Sequence, residues 1–176
     1  DFPPVIIYSI PIPDVVESLQ NEEETLKMLQ DTSRILENGG CEFIVIACNT
    51  VQYLLDKIRS SVNIPIIGIA DVTAKYLTDK GFNRIGILAT KATIEKGVYT
   101  QAMKTNNIEL INPTEPDQEI VNKVIMNQLA GKADEKDTLE LKGVINNLKS
   151  SGAEAVILAC TDLPLVIGQK DTDVPV

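Results

Sequence analysis

The sequence predicts an α/β protein with two similar lobes, each a mostly parallel sheet flanked by helices, with a ligand site in the cleft between them. Strand-like and helix-like segments alternate along the chain, which favours parallel sheets with right-handed crossovers. A stretch at residues 40–50 recurs at residues 152–162, an offset of 112 positions that indicates duplication. With 176 residues and 44% hydrophobic content, the chain can bury one large or two small cores. We assign residues 1–78 to the first lobe and residues 79–176 to the second.

The two copies of the repeat read GCEFIVIACNT and GAEAVILACTD. The aliphatic run in each copy predicts a strand that is buried on both faces, as in a parallel sheet. Each run ends in Ala-Cys followed by polar residues, so Cys48 and Cys160 fall at the carboxyl ends of strands, where open α/β sheets bind ligands. We therefore expect the two thiols to face one site. Cys41, which aligns with Ala153 in the second copy, is predicted to be structural.

Hydrophobic periodicity and turn residues predict the other elements of the first lobe. A β-branched run predicts an interior strand at residues 5–9, and two prolines make the segment that follows, residues 10–14, a loop. The spacing of apolar residues predicts the remaining elements, and glycine or polar residues mark where each one ends. In order these are a helix at 22–37, the first cysteine strand, a helix at 51–60, a strand at 63–69 and a helix at 72–79 capped by Asp71.

The same signals predict the second lobe. In order they give a strand at 84–90, a helix at 94–106, a strand at 108–111, helices at 117–129 and 138–150, and the second cysteine strand. The closing residues around Pro175 echo the strand around Pro65, so the repeat extends beyond the cysteine motif. Ser9, Thr90 and Thr93 lie at the carboxyl ends of predicted strands and are expected to line the cleft.

Composition excludes several classes of function. The net charge of −9, without a basic cluster, argues against a nucleic acid or an anionic membrane as partner. No apolar run approaches the roughly 20 residues of a membrane span and no signal peptide precedes the fold, so we expect a cytoplasmic protein. The chain has no histidine, which excludes histidine acid–base chemistry and most zinc sites, and its three cysteines include no CxxC pair. Proton transfer must then use cysteine, carboxylate, lysine or tyrosine, and no metal is expected.

Two facing thiols can invert a carbon centre. A thiol at a helix N-terminus is favoured as thiolate, and the same N–H groups, with Asn49, Thr50 and Thr161, can hold a carboxylate. With a small carboxylic acid held there, one sulfur as thiolate removes the α-proton and the other as thiol delivers a proton to the opposite face. The outcome is inversion without a cofactor, with protonation states that swap at each turnover.

Four motifs are shared with one known family: ACNT at residues 47–50, ACTD at 159–162, IPD at 12–14 and ILAT at 87–90. With them the chain resembles the cofactor-independent aspartate/glutamate racemase superfamily, most closely its aspartate racemase branch. The resemblance implies that Cys48 and Cys160 are the catalytic acid and base, and that Asn49, Thr50 and Thr161 bind the α-carboxylate of the substrate. It also implies a homodimer that uses no cofactor and acts on a small dicarboxylic amino acid.

The chain departs from that family at several places. Asp162, which we also count as a substrate-binding residue, stands where aspartate racemases usually have Glu. Lys132 lies where many of them have a lysine for the distal carboxylate of the substrate, but Val15 stands where many have an arginine. The Gly-rich loop of the family's first strand and its usual C-terminal helix are not among these residues, so we expect a longer natural chain. The substrate side chain stays open.

Other functions fit parts of the same pattern. Within the superfamily, hydantoin racemisation and maleate isomerisation are alternatives. Amino-acid racemisation exchanges the proton at Cα with solvent, whereas maleate isomerisation does not, so proton exchange distinguishes these two reactions. Outside it, the chain could be a non-catalytic carboxylate-binding module or a thiol-redox module. A redox pair requires Cα atoms within about 7 Å, whereas a pure binding module requires only ordinary thiol pKa values.

Overall fold

The computed structural model describes residues 3–12 and 21–176 of the chain. Its strands are β1 (Ile44–Val45), β2 (Ile66–Ile67), β3 (Arg84–Ala89), β4 (Glu109–Ile111) and β5 (Ala155–Ala159). Its helices are α1 (Glu22–Asn38), α2 (Leu55–Arg59), α3 (Ile69–Asp79), α4 (Lys91–Glu95), α5 (Thr100–Thr105), α6 (Glu115–Leu129), α7 (Glu135–Ser150) and α8 (Leu163–Val166), with 3₁₀ helices at Thr50–Leu54 and Gln169–Asp171.

The strands form two parallel sheets. β1 pairs with β2, with Ile44 opposite Ile66. In the second sheet β3 is the central strand, and Ile85 lies opposite Leu110 of β4 on one side and Ala155 of β5 on the other. Helices connect and flank both sheets, because parallel strands require a crossover between them. The predicted α/β class is therefore confirmed.

Most predicted elements are confirmed with shifted ends. The helices predicted at 22–37, 72–79, 117–129 and 138–150 are α1, α3, α6 and α7, and the strands predicted at 84–90 and 108–111 are β3 and β4. The helix predicted at 51–60 begins as the 3₁₀ helix Thr50–Leu54 before it continues as α2. The strand predicted at 63–69 is reduced to β2.

The duplication includes the helix that precedes each cysteine strand. α1 and α7 both end in a turn whose glycine has a positive φ, +84° at Gly40 and +95° at Gly152. The N–H of the next residue reaches back to a helix carbonyl, at 3.2 Å in the first copy and 3.0 Å in the second. Such turns satisfy carbonyls at a helix end and favour glycine because it has no Cβ. The same type of turn therefore sets the direction in which the chain leaves each helix and enters the cysteine strand.

The segments that follow the repeat are matched as well. Pro65 O accepts a hydrogen bond from Ile44 N at 2.9 Å, and Pro175 O accepts one from Val156 N at 2.8 Å. Ile44 and Val156 hold the same position in the two copies of the repeat. The segment around Pro175 thus contacts β5 in the way that the segment around Pro65 contacts β1, which confirms that the repeat extends beyond the cysteine motif.

β1 is buried on one face only, which corrects the prediction of a strand covered on both sides. Ile44 is buried against α1 and the 3₁₀ helix Thr50–Leu54, whereas Phe43 and Val45 are 55% and 61% exposed. β5, in contrast, is buried or half-buried along its whole length. An aliphatic run favours a strand, but it does not determine which elements cover that strand.

The strand predicted at residues 5–9 is wrong, because residues 3–12 contain no helix or strand. Val5 and Ile7 are 75% and 90% exposed. A strand requires a neighbour that supplies hydrogen bonds, and β-branched residues do not provide one by themselves. Residues 13 and 14 of the predicted loop lie outside the described residues, as does Val15.

The helix predicted at residues 94–106 is interrupted by a turn. α4 ends before this turn and α5 begins after it, and Gly97 within it has a φ of +64°. A residue with a Cβ pays about 1–2 kcal/mol for that conformation. The turn brings Tyr99 to the N-cap of α5, where the residue is only 2% exposed. Gly97 was the local signal for this break within a helical pattern.

Two reciprocal contacts join α6 and α7. Asn147 Nδ2 donates to both carboxylate oxygens of Asp117, and Asn127 Nδ2 donates to both oxygens of Asp137, all at 3.0–3.1 Å. Each aspartate lies in the first turn of its helix. The helices bury matching apolar residues, Val121, Val124 and Ile125 from α6 and Leu141, Val144 and Ile145 from α7. The pair is thus an antiparallel hairpin with approximate twofold symmetry.

α3 packs against the second sheet although it precedes the predicted lobe boundary. Its residues Ala74 and Leu77 share a buried core with Ile85 of β3, while β1 and β2 pack with α1 and α2 in a separate core. The boundary near residues 78–83 stays a prediction. In the parts of the chain that the structure describes, no helix is long and apolar enough to cross a membrane.

Candidate active site

The carboxyl end of β1 leads into a buried polar cluster. The Thr50 hydroxyl lies 3.2 Å from the Thr90 hydroxyl and 3.1 Å from the Thr93 hydroxyl, and the last two are 2.9 Å apart. The three residues are 4%, 2% and 1% exposed. Each hydroxyl has one proton and can also accept, so the three can close a ring of hydrogen bonds. We call this group the threonine ring.

The threonine ring joins the two strand ends. Thr50 follows β1, whereas Thr90 follows β3 and caps α4 by accepting a hydrogen bond from Thr93 N at 3.1 Å. The structure therefore brings together three residues that the sequence placed in the substrate site. Because their protons satisfy one another, the ring holds the end of β3 against the segment after β1.

The Asn49 side chain is hydrogen-bonded by Tyr99, a residue that the sequence analysis did not single out. Tyr99 OH donates to Asn49 Oδ1 at 2.5 Å, and Asn49 is only 6% exposed. Burial raises the pKa of Tyr99 to about 12, and a hydrogen bond with the Thr73 hydroxyl acts in the opposite direction. Tyr99 is therefore a neutral phenol at physiological pH.

Gln52 is a second residue that the sequence did not single out. Its Nε2 donates to Ile46 O at 3.1 Å, and its Oε1 accepts from Ile69 N at 3.1 Å. The side chain is buried and ties the end of β1 to the start of α3. A glutamine in the third position of a helical turn has no distinctive sequence pattern, so only the fold reveals this contact.

Cys48 and Cys160 are free, half-buried thiols. Cys48 packs at the edge of the core under β1, and Cys160 packs at the edge of the core formed by α6 and α7. The Cys160 thiol donates to Asp162 Oδ2 at 3.7 Å. Cys48 is among the groups whose charge raises the pKa of Cys160. Both cysteine residues are therefore partly exposed, and the charge on Cys48 acts on the Cys160 thiol.

The general preference for a thiolate at a helix N-terminus does not hold at Cys160. Its pKa is raised to about 11, first by burial and then by the Asp162 carboxylate, although the Asp162 backbone N–H favours the thiolate. The helix that follows, α8, has only four residues, with Pro164 near its start. Such a short helix supplies little dipole to offset burial and a neighbouring negative charge. At neutral pH Cys160 is therefore a thiol.

Replacing Asp162 with asparagine is expected to lower the pKa of Cys160 toward its ordinary value of 9.0, because the carboxylate is one cause of the raised value. The pH dependence of alkylation measures this in a chain whose other cysteines, Cys41 and Cys48, are serine. The rate should rise through a midpoint near pH 11 with Asp162 present and through a lower midpoint with asparagine. A midpoint unmoved by the substitution would show that burial alone sets the pKa.

The remaining candidate residues are not joined to this cluster by hydrogen bonds among the described residues. Ser9 lies in the exposed N-terminal segment and Thr161 is exposed beside Cys160. Lys132 is exposed in the turn between α6 and α7, where its backbone N–H donates to Asn127 O at 2.8 Å. Their roles in substrate binding stay predictions.

A separate groove of about 670 Å³ lies between α7 and the segment after α8. Leu139 and Lys142 line one side of it, and Leu165 and Lys170 line the other. Neither cysteine borders this groove. The groove is therefore separate from the two cysteines.

Comparison with known proteins identifies the family of this chain. The model of the Asp/Glu/Hydantoin racemase family matches residues 1–176. The broad specificity amino-acid racemase RacX of Bacillus subtilis is 27% identical over 176 residues, which are 100% of this chain and 76% of that protein.

Solved structures give the same result. The chain superposes on an aspartate racemase homologue from Pyrococcus horikoshii with a TM-score of 0.84 at 30% identity, covering 99% of this chain and 77% of that one. For the aspartate racemase of Picrophilus torridus the TM-score is 0.81 at 29% identity, covering 97% and 71%. The family match over the whole chain and these likenesses place it among the isomerases that act on amino acids: it belongs to the Asp/Glu/hydantoin racemase family.

Proposed function

We propose that this protein is a cofactor-independent racemase of acidic amino acids, aspartate first, in which Cys48 and Cys160 exchange protons with the α-carbon. The observation that carries the proposal is the pairing of two half-buried thiols that follow the equivalent strands β1 and β5 and interact electrostatically. Both are free thiols, the state that proton exchange requires. A thiol-redox module would instead cycle through a disulfide.

The raised pKa of Cys160 assigns the first roles. At neutral pH Cys160 carries its proton and is the acid, so Cys48 is the base that removes the α-proton. Cys160 then protonates the carbon from the opposite face. In the product state Cys160 is a thiolate beside the Asp162 carboxylate, and its high pKa makes it a strong base for the reverse reaction.

Asn49 is the group best placed to hold the substrate carboxylate next to Cys48. Its Oδ1 is engaged by Tyr99, while no hydrogen bond within residues 3–12 and 21–176 engages its Nδ2. An amide N–H is a suitable donor to a carboxylate. Thr161, exposed beside Cys160, supplies a hydroxyl on the other side. Holding the carbon between acid and base contributes to the rate by proximity.

The preference for an acidic substrate draws on the relatives and on the sequence resemblance. One relative is named an aspartate racemase, whereas RacX is named a broad specificity enzyme. We propose aspartate, with glutamate as the second choice, and Lys132 as a partner for the distal carboxylate. We also propose that the protein works as a homodimer, as the sequence resemblance implies, and that it works in the cytoplasm.

A panel of amino acids in deuterated water tests the proposed function. Each enantiomer of aspartate, glutamate, alanine and lysine is incubated with the protein, and deuterium at Cα and the enantiomer ratio are followed together. We expect both enantiomers of aspartate to converge on an equal mixture with one deuterium at Cα. Faster conversion of lysine or alanine would overturn the acidic preference. Maleate is incubated in parallel, and its conversion to fumarate without racemisation of any amino acid would replace the proposed racemase by a maleate isomerase.

A further inference from the structure

We propose that Tyr99 is a positioning residue for the reaction, which acts by fixing the orientation of the Asn49 amide. The proposal rests on the proposed function, because Asn49 is the proposed carboxylate ligand. Tyr99 comes from the turn between α4 and α5, and Asn49 from the end of β1, fifty residues away in sequence. The contact therefore links the second half of the chain to the residue next to Cys48.

The observed hydrogen bond favours one orientation of the Asn49 amide. Tyr99 OH donates to Asn49 Oδ1 at 2.5 Å, so the amide oxygen faces the phenol and the N–H₂ group faces away from it. The phenol has one proton, and it is directed at Oδ1. A flipped amide would present its N–H₂ group to the phenol and its oxygen to the ligand. An amide oxygen facing a carboxylate is repulsive, so only the observed orientation binds an anion.

Burial strengthens the effect of Tyr99 on the orientation of the Asn49 amide. Tyr99 is 2% exposed and Asn49 is 6% exposed, so water cannot easily replace the phenol. A buried oxygen that loses its donor favours any rotation that restores one. Burial also raises the pKa of Tyr99 to about 12, so the phenol keeps the proton that it donates to Asn49 at neutral pH.

The threonine ring supports the same placement from the adjacent residue. Thr50 follows Asn49 in the chain and is held by Thr90 and Thr93. Both residues after Cys48 are therefore fixed by side chains from the segment 90–99, which begins where β3 ends. The ring fixes the backbone at this point, and Tyr99 fixes the side chain that the backbone carries.

A double-mutant cycle tests the proposal in the full chain with Tyr99→Phe, Asn49→Ala and both together. We expect Tyr99→Phe to weaken binding of succinate, measured by calorimetry, and to raise KM for aspartate, each by about tenfold, with a smaller change in kcat. Because Tyr99 acts through Asn49, adding Tyr99→Phe to Asn49→Ala should cost nothing further. The pH midpoint for alkylation of Cys160 should stay where it is in the parent.

Control variants separate positioning from folding. Tyr76→Phe removes a hydroxyl from an exposed tyrosine on α3 and should change neither binding nor KM. Asn49→Asp keeps an acceptor for Tyr99 but offers a carboxylate no N–H, and it should abolish succinate binding.

If the losses from Tyr99→Phe and Asn49→Ala multiply, Tyr99 acts elsewhere and the proposal is wrong. An unchanged succinate affinity in Tyr99→Phe, or no affinity in the parent for succinate and aspartate, would also overturn it. Succinate binding with the expected coupling but no racemisation would refute the proposed function and leave the positioning role intact.

Discussion

Replacing Cys48 or Cys160 with serine is expected to lower kcat for racemisation by about a thousandfold, since each sulfur supplies one of the two proton transfers. Serine has nearly the same size, and both cysteines are half-buried at core edges, so the fold should persist. Racemisation measured by chiral chromatography and circular dichroism of the folded chain check the two parts of this expectation.

The two serine variants should differ in a specific way. Cys160→Ser keeps Cys48 as base and should exchange the α-proton of one enantiomer with solvent deuterium without inverting it. Cys48→Ser should exchange the α-proton of the other enantiomer. Cys41→Ser is the control and should retain full activity. Equal racemisation in the two variants, or exchange of the same enantiomer by both, would refute the two-sulfur mechanism.

Replacing Asp137 with alanine is expected to destabilise the protein by about 3 kcal/mol, the largest effect on stability that we predict. Asp137 is 3% exposed, receives both hydrogen bonds from Asn127 and closes the capping box at the start of α7 with Asp134. Its loss removes the reciprocal half of the capping box and leaves the half-buried Asn127 amide without its carboxylate partner. For a chain of this size the expected fall in Tm is roughly 10 °C, which thermal unfolding measures.

Glu135→Ala is the matched control for that substitution. Glu135 is an exposed acid in the first turn of the same helix, so its removal affects only the interaction with the helix dipole. We expect a loss of about 0.5 kcal/mol there. A comparable loss from both substitutions would mean that the reciprocal contacts between α6 and α7 contribute little to stability.

The order of helices and strands could be predicted because its signals are local. Hydrophobic spacing and the glycines after α1 and α7 lie within a few residues of what they determine, and the duplication supplied the positions of Cys48 and Cys160. The exposed face of β1 and the absence of a strand at residues 5–9 could not be predicted, because both depend on which distant elements pack there.

The contacts within the candidate site were also not predictable, because they join residues that are far apart in the sequence. Thr50, Thr90 and Thr93 were expected at strand ends, but their mutual hydrogen bonds join residues 40 and 43 positions apart. Tyr99 was missed because it falls inside a pattern that predicts a continuous helix, which Gly97 breaks. The raised pKa of Cys160 required burial and the Asp162 carboxylate, which the helix-terminus argument left out.

The two copies of the repeat differ at the second residue after the cysteine, where the first has Thr50 and the second has Asp162. Interconversion of mirror images has an equilibrium constant of one, so the Haldane relation forces kcat/KM to be equal for the two enantiomers. It does not equalise kcat or KM separately. Because Asp162 lies beside Cys160 and a neutral threonine takes the matching place after Cys48, the proposed enzyme is expected to have different turnover numbers and different half-saturation concentrations for D- and L-substrate.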